Sequence, residues 1–448
     1  MKKVPFLLLY LILLLIPDNV YAGDYSLHDL YRLALEKSEI IQIAEEDLFI
    51  SEKQKDKARA VLFPTLSAFG AHRRYSEEKV YGFDILQPDH TSEWGLRLDQ
   101  SLSLSGKEIT ALEITKEEIG KSTHDLQAVK EGILLDVASR YFIVLQAREA
   151  LEIARQNVER LQKHRNAAST RLEVGEATKT VLLRAEAELA GARSDLIKAE
   201  NNLIISKTRL AQSVNISGDY SIKEPQVDVD YTMPEKGVPG LDILTEDCTK
   251  TDIDCLKEIA FRERAEIQSA MIKRDIAENT VKFAQGAYWP DISIEGVYFR
   301  QEIDPSSSFD LKERIYGGLR LDFPFFEGGL RIAEVSEAKA RLRQAEYGVE
   351  DLKRAIAVEV ENSYLFVVRE AAVLVQLQAE VKYSSENYNS VTRQFQYGLA
   401  DSVDVMDANT LLVTAEREQA TAKYAYQLSV ISLQRSMGTL LESVTGRQ

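Results

Sequence analysis

The sequence predicts an α+β membrane fold in which long antiparallel coiled-coil helices carry the strands of a transmembrane β-barrel. Three observations predict it. The 448-residue chain is written twice: about 223 residues apart the same events recur, an Arg-Leu-Asp strand (Arg97, Leu98 and Asp99 against Arg320, Leu321 and Asp322), a long heptad helix, a glycine tip (Gly175 against Gly398) and a returning helix. A period this long marks two tandem copies of one large hairpin, not a solenoid of short repeats. In both copies strands of about ten residues alternate apolar with polar side chains, as a barrel wall between lipid and water requires. After residue 22 no stretch approaches the length of a membrane-spanning helix, so any membrane-embedded part must be β-structure closed on itself.

The N-terminus reads as a secretory signal: Lys2 and Lys3, an apolar run from Phe6 to Ile16 broken by Pro17, then Val20-Tyr21-Ala22 before Gly23, a small-residue cleavage pattern. Residues 1–22 are therefore expected to be removed. Residues from about 26 to 60 read as one amphipathic helix, capped by Ser26, with Leu30, Leu33, Ala34, Ile41 and Ala44 at helical spacing. Pro64 ends helical geometry, and a loosely patterned strand runs to about Tyr75. The next strand is clearer: Trp94, Leu96, Leu98, Leu102 and Leu104 alternate with Gly95, Arg97, Asp99, Ser101, Ser103 and Ser105. In the second copy Ile292, Ile294 and Tyr298 alternate with Asp291, Ser293 and Glu295, and Ile315, Leu319, Leu321, Phe323 and Phe325 with Tyr316, Gly318, Arg320 and Asp322. Aromatic residues gather towards the strand ends, Phe63, Trp289, Phe325 and Phe326 at one and Trp94, Tyr316 and Phe299 nearer the other, a placement that fits two interfacial girdles.

From about Gly106 to Leu172 there is no proline. Val137, Val144, Leu151 and Val158 interleave with Ala147, Ala154, Leu161 and Ala168, an a/d pattern that implies a left-handed coiled coil, in a helix on the order of 100 Å long. The return carries Leu182, Leu189, Leu196, Leu203 and Leu210. Copy two repeats this with Val360, Val367, Leu374, Val381, Tyr388 and Phe395 going out, and Val405, Leu412, Tyr426 and Leu433 coming back. The expected division is a signal at 1–22, a first repeat at 23–215, an irregular connector at 216–256 with one short strand around Val227 to Tyr231, and a second repeat at 257–448.

Four amphipathic strands cannot close a barrel, because closed barrels start at about eight strands. Open strand edges in lipid leave backbone groups unpaired at several kcal/mol each. The strands must be completed by other copies: two give eight strands, three give twelve. The net charge of −16 argues against nucleic acid as a partner.

The segment Tyr397-Gly398-Leu399-Ala400-Asp401-Ser402-Val403-Asp404-Val405-Met406-Asp407-Ala408, with Leu411, Leu412, Ala415 and the later Met437-Gly438-Thr439-Leu440, resembles the second hairpin tip and C-terminal helix of the TolC family of outer-membrane efflux channels. Val174-Gly175-Glu176-Ala177 is a weaker copy. The resemblance covers the mature chain. It implies a homotrimer with four strands per protomer and twelve in total, set in the outer membrane and continued by an α-barrel across the periplasm. Such a duct is passive and needs no cofactor. An inner-membrane pump and a periplasmic adaptor drive tripartite efflux or type I secretion through it. The alternative reading is a periplasmic coiled-coil adaptor or scaffold that never enters the membrane.

Five scattered histidines, no nucleophile motif and no phosphate-binding glycine loop give no catalytic constellation, so the chain is not expected to be an enzyme. The expected chemistry is electrostatic. Asp404 and Asp407, three residues apart on one helix face, read either as acids at a helix N-terminus or, by the resemblance, as two stacked rings of carboxylates at the pore constriction, favouring cations. The resembling family locks its closed state with a Tyr, an Arg and an Asp. Phe395, Ala400 and Val181 stand at those positions here, so that lock cannot form, and a more easily opened or differently latched entrance is expected. Gly175 and Gly398 are helix breakers able to adopt φ > 0, and by the resemblance the tips where an adaptor docks. Cys248 and Cys255, the only cysteines, read as a local disulfide in an exported chain, or else as two free thiols. No metal site is expected at them.

Overall fold

The computed structural model describes residues 24–82, 84–225, 253–305 and 311–446. In chain order the elements are β1 (Asp24–Tyr25), α1 (Leu27–Lys37), α2 (Glu39–Ala60), β2 (Thr65–Arg74), β3 (Lys79–Tyr81), β4 (Asp84–Gln87), β5 (His90–Ser103), α3 (Lys107–Glu173), α4 (Lys179–Ser213), β6 (Ser221–Ile222), α5 (Ile253–Glu263), α6 (Ala265–Gly286), β7 (Asp291–Asp304), β8 (Glu313–Asp322), α7 (Leu330–Gln396), α8 (Ser402–Met437) and α9 (Leu440–Thr445). The expected signal peptide, the strand expected at Val227 to Tyr231 and Cys248 lie outside the described residues.

The chain divides into two compact units. One holds Gln127–Arg264 and Ala355–Gln448 with the N-terminal residues up to Gln42; the other holds Ile43–Leu126 and Ala265–Arg354.

In the second unit the four long strands form one antiparallel sheet in the order β2-β5-β7-β8. Register pairs Leu66 with Leu98, Leu96 with Tyr298, Tyr298 with Ile315, and Ile294 with Leu319. Because side chains alternate along each strand, these residues share one apolar face. Leu66, Ile315 and Leu319 are 70%, 80% and 79% exposed, so no second layer among the described residues covers them. The other face carries Ser67, Arg97, Asp99, Ser101, Glu295 and Arg320, with an Arg97–Glu295 pair at 3.5 Å and an Arg73–Glu93 pair at 2.7 Å. On the apolar face Trp94 and Tyr298 meet with ring centroids 5.6 Å apart, next to the charged Arg300–Glu313 pair. Aromatic rings beside charge are what a barrel wall carries where lipid meets headgroups. Phe299 and Tyr316 do not belong to this pair's face: register puts both on the polar face, opposite Gly95 and Val297 respectively. No helix among the described residues is long and apolar enough to cross a membrane.

The first unit is helical and closes around Leu30, Tyr31, Leu134, Val137, Tyr141, Leu145, Leu210, Tyr220 and Leu440. The heptad positions Val137, Val144, Leu151, Ala154, Leu161 and Ala168 are buried, as are Val360, Val367, Leu374, Val405, Leu412 and Leu433. Two differences from the sequence reading have local causes. The single helix expected over 26–60 is two, because Ser38 takes an extended conformation (φ −67°, ψ 121°) and caps α1, its N–H bonding to Ala34 O. The connector is shorter than expected, since α5 begins at Ile253 and takes in Cys255. Cys255 is disulfide-bonded. A parallel pairing of β1 with β6 ties the start of the described chain to the segment after α4.

Candidate functional site

Both hairpin tips turn on a glycine in the left-handed region. Gly175 has φ +81° and Gly398 φ +77°. At each, the N–H of the following residue reaches back five residues, Glu176 to Arg171 O at 2.8 Å and Leu399 to Gln394 O at 2.8 Å, which satisfies a carbonyl that the ending helix leaves orphaned. An added Cβ at Gly398 would meet nothing within 4 Å, so substitution there costs conformational energy and no clash. Gly398→Ala is expected to lose about 1–2 kcal/mol of hairpin stability. Gly132→Ala, inside α3 and equally open, should gain about 0.5–1 kcal/mol. Thermal unfolding of the two variants checks the opposite signs.

The second tip is built more firmly than the first. Thr178 at the start of α4 makes no side-chain cap. Asp401, by contrast, accepts from Val403 N at 2.7 Å and Asp404 N at 3.0 Å, and Asp404 accepts from Asp401 N at 2.9 Å, a reciprocal capping box. Asp404 is therefore held by the backbone. Asp407 is exposed and has no hydrogen-bond partner among the described residues. The opposite face of α8, with Val405, Met406, Ala408, Asn409 and Leu412, is buried. The spacing thus gives α8 an exposed stripe of Asp404, Asp407, Leu411, Thr414 and Glu418, with both carboxylates at its tip end. In copy one, Arg184 is exposed and Val181 half-buried, so the first tip presents no acid at the matching places.

The Phe395 ring is 5% exposed. It lies 5.1 Å from the His164 ring, with the Arg171 guanidinium 4.1 Å from its centroid. Arg171 also donates to the carbonyls of Phe395 and, at 3.2 Å, of Gln396. A cation on the last carbonyls of α7 complements that helix's C-terminal partial charge. Arg171 thus ties the first tip to the end of α7.

Arg171 ends a polar seam that the heptad reading missed. Asn157, His164 and Arg171 recur every seven residues on α3. His164 Nε2 lies 2.8 Å from Ser402 Oγ, and Asn409 donates to Asn157 at 2.8 Å. In the same antiparallel register Gln146 donates to Thr421 at 2.9 Å, and Arg435 pairs with the fully buried Glu131 at 3.5 Å. A two-point Arg160–Glu416 pair at 3.1 and 2.9 Å joins the same helices. Polar residues at one repeating position of a coiled coil fix register at some cost in stability. The signal was present in the sequence, hidden beside the stronger leucine and alanine stripe.

Burial, and then the charge of Arg171, hold the His164 imidazole below its ordinary pKa. The folded state thus binds fewer protons at this site than the unfolded chain, so the contribution of the seam is full above the ordinary histidine range and falls as pH drops through it. The tips are expected to loosen between about pH 7 and pH 5. His164→Gln, which keeps a hydrogen-bonding group for Ser402, should flatten that dependence in hydrogen-exchange measurements at the tip, after correction for the intrinsic pH dependence of exchange.

Among the described residues no cluster of three or more His, Cys, Asp or Glu side chains could hold a metal ion.

The sequence matches the family model described as "Outer membrane efflux protein" over residues 30–215 and 257–439. The outer membrane protein TolC of Vibrio cholerae is 23% identical over 390 residues, 86% of this chain and 84% of that protein. Among solved structures, the channel CusC superposes with a TM-score of 0.79 at 19% identity, covering 93% of this chain and 92% of the other. The open state of the MtrE outer membrane channel of Neisseria gonorrhoeae gives a TM-score of 0.74 at 20% identity, covering 92% and 89%.

Proposed function

Because the chain belongs to the outer membrane efflux protein family, we propose that it is the outer-membrane exit duct of an efflux or secretion machine, working as a homotrimer. Its place is the outer membrane, with the helices reaching into the periplasm. Three sheets would join into one twelve-stranded barrel, and three sets of helices into the tunnel that continues it.

The observation that carries this reading is the four-stranded sheet: apolar on one face, polar on the other, with β2 and β8 unpaired at its edges. In hydrocarbon each unpaired backbone group costs several kcal/mol, so the edges need a partner chain. The helices support the same seam. α2 runs into edge strand β2 and exposes Ile43, Phe49 and Ile50, while α7 leaves edge strand β8 and exposes Leu330, Ile332 and Tyr347. Edge-to-edge strand pairing between copies would bring these two apolar faces together and bury them.

In this assembly Asp404 and Asp407 would form two carboxylate rings at the periplasmic constriction, and the Gly175 and Gly398 tips would dock a periplasmic adaptor linked to an inner-membrane pump. The tips suit docking: Val174, Tyr397 and Leu399 are 65%, 81% and 79% exposed, more apolar surface than a turn in water needs. The two repeats would each supply one strand pair and one hairpin, joined by the connector that ends where α5 begins at Ile253 and exported by the signal at 1–22. Cys248, the only other cysteine in the chain, is the partner proposed for Cys255. Non-reducing peptide mass spectrometry should recover that pair as one cross-linked fragment.

Reconstitution tests the proposal. The detergent-purified mature protein should give discrete, long-lived conductance steps in planar bilayers and lose them on heating. A chain that is released from cells without detergent and never conducts would instead support the periplasmic scaffold.

A further inference from the structure

The polar face of the sheet carries an aromatic island. Phe69, Gly95, Phe299 and Arg314 lie side by side across the four strands, and the next same-face row is Ser67, Arg97, Val297 and Tyr316. Elsewhere this face is mostly Ser, Thr, Gln and charged residues with a few aliphatic or small ones, Ala71, Val297, Ile303 and Gly318, so three aromatic rings here need a cause. Packing within the chain does not bury them: Phe69 and Phe299 are half-buried, and Tyr316 is 51% exposed.

The rings are placed by a notch. Phe69 and Phe299 stack across β5, centroids 6.2 Å apart and planes inclined by 19°. They can do so because the residue between them is glycine. A Cβ on Gly95 would stand 2.7 Å from the Phe69 ring and closer still to the Tyr298 carbonyl oxygen. Two guanidinium groups flank the stack, Arg97 at 5.7 Å from the Phe69 centroid and Arg314 at 5.9 Å from that of Phe299. Arg97 shares its charge with Glu295 at 3.5 Å. Arg314 is exposed and has no ion-pair partner among the described residues. The patch therefore offers open aromatic faces with an uncompensated cation at their edge.

The geometry points to a binding band for planar aromatic anions inside the barrel, resting on the reading of the polar face as the lumen wall. A flat ring would stack on Phe69, Phe299 or Tyr316, and its sulfonate or carboxylate would meet Arg314 and Arg97. Three protomers would repeat the patch around the lumen. Passing solutes of this class would be slowed there relative to small inorganic ions.

Blockade of single-channel current tests it, with 2-naphthalenesulfonate as the probe and methanesulfonate as the non-aromatic control. The wild-type trimer should be blocked reversibly by the first and not by the second. Phe69→Leu with Phe299→Leu, which keeps apolar packing but removes the π faces, should raise the half-blocking concentration about tenfold. Arg314→Gln should raise it as well, with little change in unblocked conductance. Equal blockade by both sulfonates, or unchanged blockade in the leucine variant, would overturn the band while leaving the duct intact. A wild-type chain that never conducts would overturn the duct, and the band with it.

Discussion

A channel in which Asp404 and Asp407 are both replaced by asparagine should lose its cation preference and its sensitivity to multivalent cations. In a trimer the double substitution removes six carboxylates from one end of the α8 helices. Charges that close in a narrow, partly dehydrated passage interact far more strongly than they would in bulk water. The half-blocking concentration of a trivalent cation applied from the periplasmic side is expected to rise at least about tenfold. The two positions should separate when changed singly. Asp407 has no hydrogen bond or ion pair among the described residues, so Asp407→Asn should alter conduction alone. Asp404 accepts the N–H of Asp401, so Asp404→Ala should also weaken the start of α8 by about 0.5–1 kcal/mol. If both single variants changed stability and neither changed ion selectivity, the acids would be helix caps and nothing more.

Arg171→Ala is expected to open the entrance. By the resemblance, Phe395, Ala400 and Val181 stand where that family carries its locking residues, and their side chains supply no such polar contacts. Beside the His164–Ser402 contact, Arg171 joins the tips here, donating to the carbonyls of Phe395 and Gln396 and covering the Phe395 ring. Charge-assisted hydrogen bonds of this kind contribute about 1.5–3 kcal/mol, and the ring contact about 0.5–1 kcal/mol more. Losing them in all three protomers should raise open probability or single-channel conductance severalfold, with the β-barrel and its detergent-stable assembly unchanged. Arg171→Lys keeps the charge but not the planar fork, and should fall between. Phe395→Leu should show the smaller loss expected from the ring contact alone. A conductance identical to wild type in Arg171→Ala would leave the second tip to be held by its capping box and the Asn157–Asn409 and His164–Ser402 contacts.

Most of the architecture was legible because it is periodic. A 223-residue repeat, two heptad stripes per copy and period-two strands carry enough independent positions to name the four long strands and the four helices of the two hairpins, though not α5 and α6 ahead of β7. The parts that were not legible depend on single residues or on register. Ser38 looks like any polar residue on an amphipathic helix, and only its extended backbone ends α1. Phe299 and Tyr316 were assigned to a lipid girdle by their distance from the strand end. Whether a strand residue meets lipid or water is set by its parity, and Tyr298 rather than Phe299 shares the parity of Trp94. The β1–β6 pairing involves two residues on each side, too few for any pattern.

The tips show the same division. Gly175, Gly398 and the acids after the second turn could be named from the chain alone, since turn geometry and helix spacing place them. The Arg171 clasp could not, because its acceptors are backbone carbonyls that every sequence contains. His164, Asn157 and Asn409 had a seven-residue signal that the neighbouring apolar stripe outweighed.

The central claim is that no single chain can seal its own strand edges, and the mass of the detergent-extracted mature protein tests it most directly. Native mass spectrometry should give one species of three chains that falls to monomer only when the barrel is heat-denatured. A stable, folded monomer in the absence of detergent, with the edges of β2 and β8 still unpaired, would contradict the account.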